Sequence, residues 1–271
     1  MIDLETQKQQ IKTQQNSVAV LILNEGKGYV LLGKPMINWV VDAVKNYTCV
    51  CAEYKCEDVV QFSKTHAVDC TYLVVLSDKL PLLTPESVSK LIDYCVFKNT
   101  NACKFSGGYV FKYEYLKSTN NIFVDSVYIQ NEECFYLVEN KRMCTYASEV
   151  LQNRIFQKHI SAGVDIISTK NVEIQPDVEI EAGVTIFKGN TLKGNTVIKK
   201  GVILKENNII EDSVIEDDVC VCGSTITNSK VGAGSFIMPY CNIDNSIIGK
   251  NCTIKSGTVL IKQRIKKETV N

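Results

Sequence analysis

Two short stretches carry residue types that could handle phosphate and metal. Asn24-Glu-Gly-Lys-Gly28 follows the apolar run Val18 to Leu23, and two glycines one residue apart let backbone N–H groups approach a phosphate closely. Gly26-Lys27-Gly28 would serve equally well as a plain tight turn. Asp78 closes a second apolar run, Tyr72 to Leu76. A carboxylate there can hold a divalent cation that neutralises phosphate charge during phosphoryl or nucleotidyl transfer. It can also cap a helix or lie solvated in a loop. No catalytic side chain is assigned by these patterns.

Both stretches need elements to place them. Pro35 at the start of Met36 to Val44, with Trp39, Val40 and Val44 on one side, reads as a helix with proline in its first turn. Pro85 to Phe97 reads as a second helix, opened by Thr84. Strand, loop, helix, strand, helix over residues 17–150 is the order of a doubly wound α/β sheet, whose ligands bind at the carboxyl ends of the strands. The glycine loop and Asp78 both fall at such ends. Residues 1–16 are polar and Gln-rich and are expected to be disordered.

From Val172 onward the pattern has a period of six. Ile174, Ile180, Ile186, Leu192, Ile198, Leu204 and Ile210 follow without a slip. The series then shortens by one residue in places through Ile215, Val221, Ile226, Val231, Ile237, Ile243, Ile248, Ile254 and Leu260, sixteen positions in all. Such spacing fits neither a helix nor a hairpin. It fits an all-β parallel β-helix with three hexads per coil, hence about five coils over residues 171–262. Gly183, Gly189, Gly194, Gly201, Gly223, Gly232, Gly234, Gly249 and Gly257 are expected at its corners. Residues 151–170 form a linking helix and turn. Residues 263–271 form a basic tail, and Lys262, Arg264, Lys266 and Lys267 are expected to be a solvated end. The open faces of a solenoid need capping or assembly, and a homotrimer is expected.

Composition bounds the partners. Thirty Lys and Arg balance thirty Asp and Glu, so no global field draws in nucleic acid or a membrane surface, and an anionic ligand must be bound locally. No apolar run approaches the ~18 residues of a membrane span, and no signal-peptide core stands at the N-terminus. The expected location is cytoplasmic, which makes the twelve cysteines reduced thiols. The clusters Cys49, Cys51, Cys56 and Cys220, Cys222 lack the Cys-x2-Cys spacing usual in zinc sites. Only two histidines occur, His66 and His159.

The segments Val18 to Gly28, Gly33 to Ala43 and Leu76 to Thr84 resemble the sugar-1-phosphate nucleotidyltransferases. Asn140-Lys-Arg-Met143, Val150 to Ile155, Lys158 to Val164 and the hexads resemble more closely the bacterial bifunctional UDP-N-acetylglucosamine pyrophosphorylase/glucosamine-1-phosphate acetyltransferase family. The resemblance runs from about residue 18 to 262 and is continuous from Asn140. It implies a shortened Rossmann-like nucleotidyltransferase domain joined by a helix to a trimeric left-handed β-helix. It further implies Mg-dependent attack of N-acetylglucosamine 1-phosphate on the α-phosphate of UTP. By the family's pattern, Asp78 and Asn140 match the metal-holding positions, and Asn24, Gly26 and Gly28 match the nucleotide loop.

The departures from that family are as informative. Its Thr-Arg-Met and Pro-Lys after the glycine loop supply cations to the leaving pyrophosphate, whereas this chain runs from Gly28 through Tyr-Val-Leu-Leu to Gly33-Lys-Pro. Such charge stabilisation is usually the dominant catalytic term. Lys27 or Lys34 could substitute only from different positions. The uridine-reading segment is absent, with Lys64-Thr-His-Ala-Val68 as a remnant, and Ser106 replaces a sugar-binding asparagine. The family's acetyltransferase uses a histidine base in its coils, but residues 172–271 contain none; Asn242 replaces an arginine, and Lys262 matches a lysine. Two readings remain: a minimal nucleotidyltransferase, or a non-catalytic paralogue that binds a nucleotide sugar or acts as a trimeric scaffold or partner protein; the expected small-molecule partner is a nucleotide or sugar phosphate.

Overall fold

The computed structural model describes residues 18–24, 28–52, 59–66, 68–129, 133–266 and 269–270. The stretch 1–16 expected to be disordered lies outside them, as do Gly26, Lys27 and Cys56. The chain divides into two compact units, one up to Ala147 and one from Ser148.

In the first unit β1 (Val18–Leu23) leads to a two-residue hairpin, β2 (Val30–Leu31) and β3 (Lys34–Pro35), and then to helix α1 (Met36–Ala43). There follow β4 (Thr48–Ala52), α2 (Val59–Thr65), β5 (Tyr72–Ser77) and α3 (Pro85–Lys98). Next come β6 (Ala102–Phe105), β7 (Gly108–Lys112), α4 (Tyr113–Ser118) and β8 (Ser126–Val127). The main sheet has the order β4-β1-β5-β7-β6-β8. β1 pairs in parallel with β4 and β5, while β7 is antiparallel to β5 and β6. β1 is apolar at every position because helices cover both faces of the sheet. Val18, Val20 and Ile22 pack with Val40, Val88 and Leu91, whereas Ala19 and Leu21 pack with Val59, Phe62 and Leu116. The chain leaves β1 for β4 on one side and returns through α2 to β5 on the other. The crevice that this reversal opens lies at the carboxyl ends of β1 and β5.

Two local features differ from the sequence expectation. Pro35 is not in the first turn of α1 but is its N-cap, the last residue of a hairpin whose turn residues Leu32 and Gly33 have φ of 51° and 78°. That double positive φ suits a tight hairpin turn. β4 and the three strands after α3 were not anticipated, so the sheet is mixed as well as doubly wound. α3 matches closely: Thr84 and Ser87 form a reciprocal capping box, Pro85 opens the helix, and Asn99 closes it at φ 54°.

In the second unit, helix α5 (Lys141–Ser161), on which the division between the units falls, is followed by a parallel solenoid. Its three sheets contain six, six and seven strands. The solenoid therefore has about six turns and not five. The extra rungs are Asp165–Ile166, inside the stretch expected to be linker, and Arg264–Ile265 and Thr269–Val270, inside the expected basic tail. Inward aliphatics stack in register, for example Ile174, Leu192, Ile210, Ile226, Ile243 and Leu260.

The shortened hexads have one main physical origin. The corner Lys193-Gly194-Asn195 of an early coil loses a residue in the next, where Asp212 turns alone at φ 46°, followed above by Asn228, Asn245 and Lys262 at 49°, 48° and 54°. Behind these corners runs a buried ladder. Ser229 N–H donates to Ser213 Oγ at 3.0 Å, Ser246 N–H to Ser229 Oγ at 2.9 Å, and Gln263 N–H to Ser246 Oγ at 3.0 Å. At a second corner the Ser224 N–H donates to Asn208 Oδ1 and the Cys241 N–H to Ser224 Oγ in the same manner, while the Asn208 side-chain amide donates to Asn190 Oδ1.

Gly232 and Gly249 are not corner glycines of positive φ. A Cβ on Gly249 would lie 2.0 Å from the Lys266 carbonyl oxygen, and one on Gly232 would lie 2.6 Å from the Gly249 backbone. They are glycines because adjacent coils touch there. Among the described residues no helix is long and apolar enough to cross a membrane.

Gly249→Ala is expected to lower unfolding stability by about 1–3 kcal/mol, the usual cost of overpacking. The exposed Ser256→Ala should change it by less than about 0.5 kcal/mol. Denaturant melts of the two variants check this.

Candidate functional site

The crevice between β1 and β5 holds a cleft of about 250 Å³ lined by Asn24, Gly28, Tyr29, Pro35, Met36, Ile37 and Asp78. Each lining group has a local cause. Asn24 is the first residue past β1, and Asp78 is the first past β5. The Asp78 N–H donates to the Leu23 carbonyl at 3.1 Å, locking the two strand ends side by side, and the Ser77 N–H donates to Gly107 O at 2.9 Å. Asp78 is only 4% exposed. A carboxylate withdrawn from water at a cleft gains most from a cation that joins it.

Gly28 takes φ 55° with nothing within 4 Å of where a Cβ would stand, so its left-handed turn keeps the chain's approach to the cleft open. The Met36 N–H donates to Tyr29 O at 2.8 Å, folding the hairpin onto the start of α1. That helix has no side-chain cap. The amides that follow Met36 and the positive end of the helix dipole therefore add a weak preference for an anion beside Ile37.

Of the residues anticipated from sequence, the structure brings Asn24, Gly28 and Asp78 together. Gly26 lies outside the described residues. Asn140 does not line the cleft; it is exposed and its Oδ1 accepts from the Met143 N–H at 3.1 Å, capping α5. Lys34 forms an ion pair with Asp42 on α1 and lies 5.2 Å from the Trp39 ring centroid. Its cation is thus engaged by α1, and Lys34 does not line the cleft. Ser106 Oγ donates to Phe135 O at 3.1 Å in the β6–β7 turn. Lys64 Nζ donates to Asn120 Oδ1 at 2.7 Å, and His66 stacks on Phe62. Tyr29, Met36 and Ile37 were not anticipated, although the Leu32-Gly33 turn that folds them inward was visible as a residue-glycine pair.

Among the described residues no group of three or more His, Cys, Asp and Glu could hold a metal. A cation at Asp78 would therefore complete its shell with ligand phosphates and water, as Mg²⁺ commonly does. In the second unit His159 lies on α5, 5% exposed. Burial first, and the Lys158 charge second, hold its pKa below the ordinary histidine value. Asn242 and Lys262 are exposed, Asn242 on a rung and Lys262 at a corner.

Residues 228–262 match the family model described as bacterial transferase hexapeptide (six repeats). The chain is 38% identical over 143 residues to the bifunctional protein GlmU of Clostridium acetobutylicum, covering 50% of this chain and 31% of that protein. It is 39% identical over 129 residues to the bifunctional protein GlmU of Clostridium novyi, covering 45% of this chain and 28% of that protein. The matches thus span less than a third of these relatives. A crystal structure of the GDP-perosamine N-acetyl transferase from Caulobacter crescentus, in complex with CoA and GDP-perosamine, is 13% identical. It covers 93% of this chain and 90% of that one with a TM-score of 0.34, too slight a likeness to argue from. The sequence matches support, broadly, a kinship with hexapeptide-repeat transferases.

The buried His159 has a stability consequence. Its folded pKa is depressed below the ~6.5 of an unfolded chain, so between those two values only the unfolded state binds the proton. Stability should fall as pH drops below about 6.5. Melting temperatures across that window should fall more steeply for the native chain than for His159→Gln.

Proposed function

We propose that the first unit binds a nucleotide sugar or sugar phosphate, together with Mg²⁺, in the Asn24, Gly28 and Asp78 cleft, with transfer chemistry reduced or lost. The reading continues with a left-handed solenoid that assembles the chain as a homotrimer. The observation that carries it is the convergence of Asn24, Gly28 and Asp78, drawn from two strand ends, on one cleft at the switch point of the sheet. Asp78 would hold the metal, which supplies positive charge to a phosphate oxygen. Gly28 would bring the backbone close to that phosphate, and Asn24 would hydrogen-bond the ligand.

Two features favour binding over turnover. The cleft, about 250 Å³, is smaller than the ~300–1,000 Å³ of typical ligand pockets, which suits one phosphate-bearing portion of a ligand. Lys34, one of two lysines that could stand in for the leaving-group cations of the resembled family, is paired with Asp42. The retained buried Asp78 favours the second reading, an active Mg-dependent uridylyltransferase that joins UTP to a sugar 1-phosphate. Acetyl transfer is not favoured, because residues 172–271 offer no histidine as base.

Titration of the purified chain with UTP and with UDP-N-acetylglucosamine, with and without Mg²⁺, tests the reading. Metal-dependent binding should appear and weaken about tenfold or more in Asp78→Asn, since a single carboxylate carries the metal contact. Pyrophosphate should not be released. Release in the same tubes would establish the second reading, and absence of all binding would overturn both.

A further inference from the structure

One outer face of the solenoid carries sulfur that the proposed function does not use. Cys220 and Cys222 flank the inward-facing Val221, so both side chains leave the strand on the same outer face, and both are half-buried. The pairing continues on both neighbouring coils. Cys220 is in register with Ile203 on one side and Phe236 on the other, and Val221 is in register with Leu204 and Ile237. The next residue along each strand sets Lys205 and Met238 beside Cys222. The Lys205 N–H donates to Val221 O at 2.9 Å, and the Cys222 N–H donates to Ile237 O at 3.0 Å. Lys205 Nζ lies 4.6 Å from the ring centroid of Phe187, the residue one coil further along the same column.

These two thiols cannot close on each other while the rung holds. Residues two apart on a parallel strand stand about 6.6 Å apart with their Cβ atoms on parallel vectors. A disulfide needs Cβ atoms about 3.5–4.5 Å apart. An ion that bonds to both sulfurs can span what a direct S–S bond cannot. The thiols do sense one another: burial first, and then the charge and hydrogen bond of Cys222, push the Cys220 thiol up to about 11, with Lys205 opposing.

We propose that Cys220 and Cys222, with the Met238 thioether as a third donor, form a binding site for a thiophilic monovalent cation, Cu(I). Two thiolates and a thioether are the soft donor set that selects Cu(I), whereas structural zinc takes four ligands in a tetrahedron. Binding is a proton exchange without redox change. Two thiols and one Cu⁺ give a dithiolate–Cu(I) centre of single negative charge and two protons. Lys205, in the adjacent rung, offsets that charge. Ile203 and Phe236, exposed at 37% and 39%, are in register with Cys220 on either side and give its sulfur apolar neighbours. Because protons leave, apparent affinity rises with pH.

The test is an anaerobic titration of the reduced full-length chain with Cu(I) against the competing chelator bicinchoninate, following thiolate-to-copper charge-transfer absorption. The double variant Cys220→Ser/Cys222→Ser should lose a full equivalent of tightly held copper relative to the native chain, while Cys70→Ser keeps it. Met238→Leu should weaken that equivalent without abolishing it, and Lys205→Leu should weaken it about tenfold, as loss of an outer-sphere partner does. Circular dichroism melts confirm that the variants remain folded, which half-buried Ser replacements should permit. Equal copper stoichiometry in the native chain and the folded double variant would overturn the proposal. So would displacement of the copper by equimolar Zn²⁺.

Discussion

Each coil of the solenoid must satisfy its backbone amides on the carbonyls of the next, strand by strand and corner by corner. A strand of two or three residues contributes few bonds, so the corners cannot be left unmet. The chain solves this with small hydroxyl and amide side chains buried at the corners, each accepting the amide of the coil beyond. Ser213, Ser229 and Ser246 do so in one column and Asn208 and Ser224 in another. Once such a ladder is in register, a corner shortened in one coil must be shortened in those above it. Asp212, Asn228, Asn245 and Lys262 show this succession. Close contact of coils at Gly232 and Gly249 follows from the same alignment. So does the gathering of Cys220, Cys222 and Met238 on one outer face.

The first unit obeys a different constraint. A strand covered by helices on both faces cannot bear polar groups along its length, so polar chemistry is pushed to its ends. Leu23 O and Asp78 N–H join β1 and β5 at those ends, and the cleft forms just beyond. The hairpin that follows Gly28 then decides what the cleft can do. It presents Tyr29, Pro35 and Met36 to the cleft and turns Lys34 toward Asp42 and Trp39. On the proposed reading, a wall of mostly apolar groups with one buried carboxylate suits holding a metal-bound phosphate better than stabilising a departing pyrophosphate.

Much of this was legible in the residues. The six-residue spacing of aliphatics required a solenoid because no other regular structure buries every sixth residue. The apolar runs of β1 and β5 and the Thr84-Pro85 start of α3 marked their elements, and the glycine loop and Asp78 marked strand ends. Other parts were hidden for physical reasons. The strand Thr48–Ala52 mixes cysteine and valine without a run long enough to stand out. β6 to β8 are short and depend on pairing with β5 and with each other. The coils at either end were missed because Ile166 stands eight residues before Ile174, and because Arg264 and Lys266 gave the last rungs the look of a solvated tail. The pairing of Lys34 with Asp42 and the capping role of Asn140 are tertiary and local contacts that residue type alone does not reveal.

The proposed division of labour between a binding unit and a scaffold is tested directly by amide hydrogen exchange of the full chain, with and without Mg²⁺ and UDP-N-acetylglucosamine. Slowed exchange confined to peptides around Asn24, Gly28 and Asp78, with the solenoid rungs from Glu173 to Ile265 unchanged, is the expected result. Protection on the rungs with none at the ends of β1 and β5 would contradict it and move the ligand site to the solenoid.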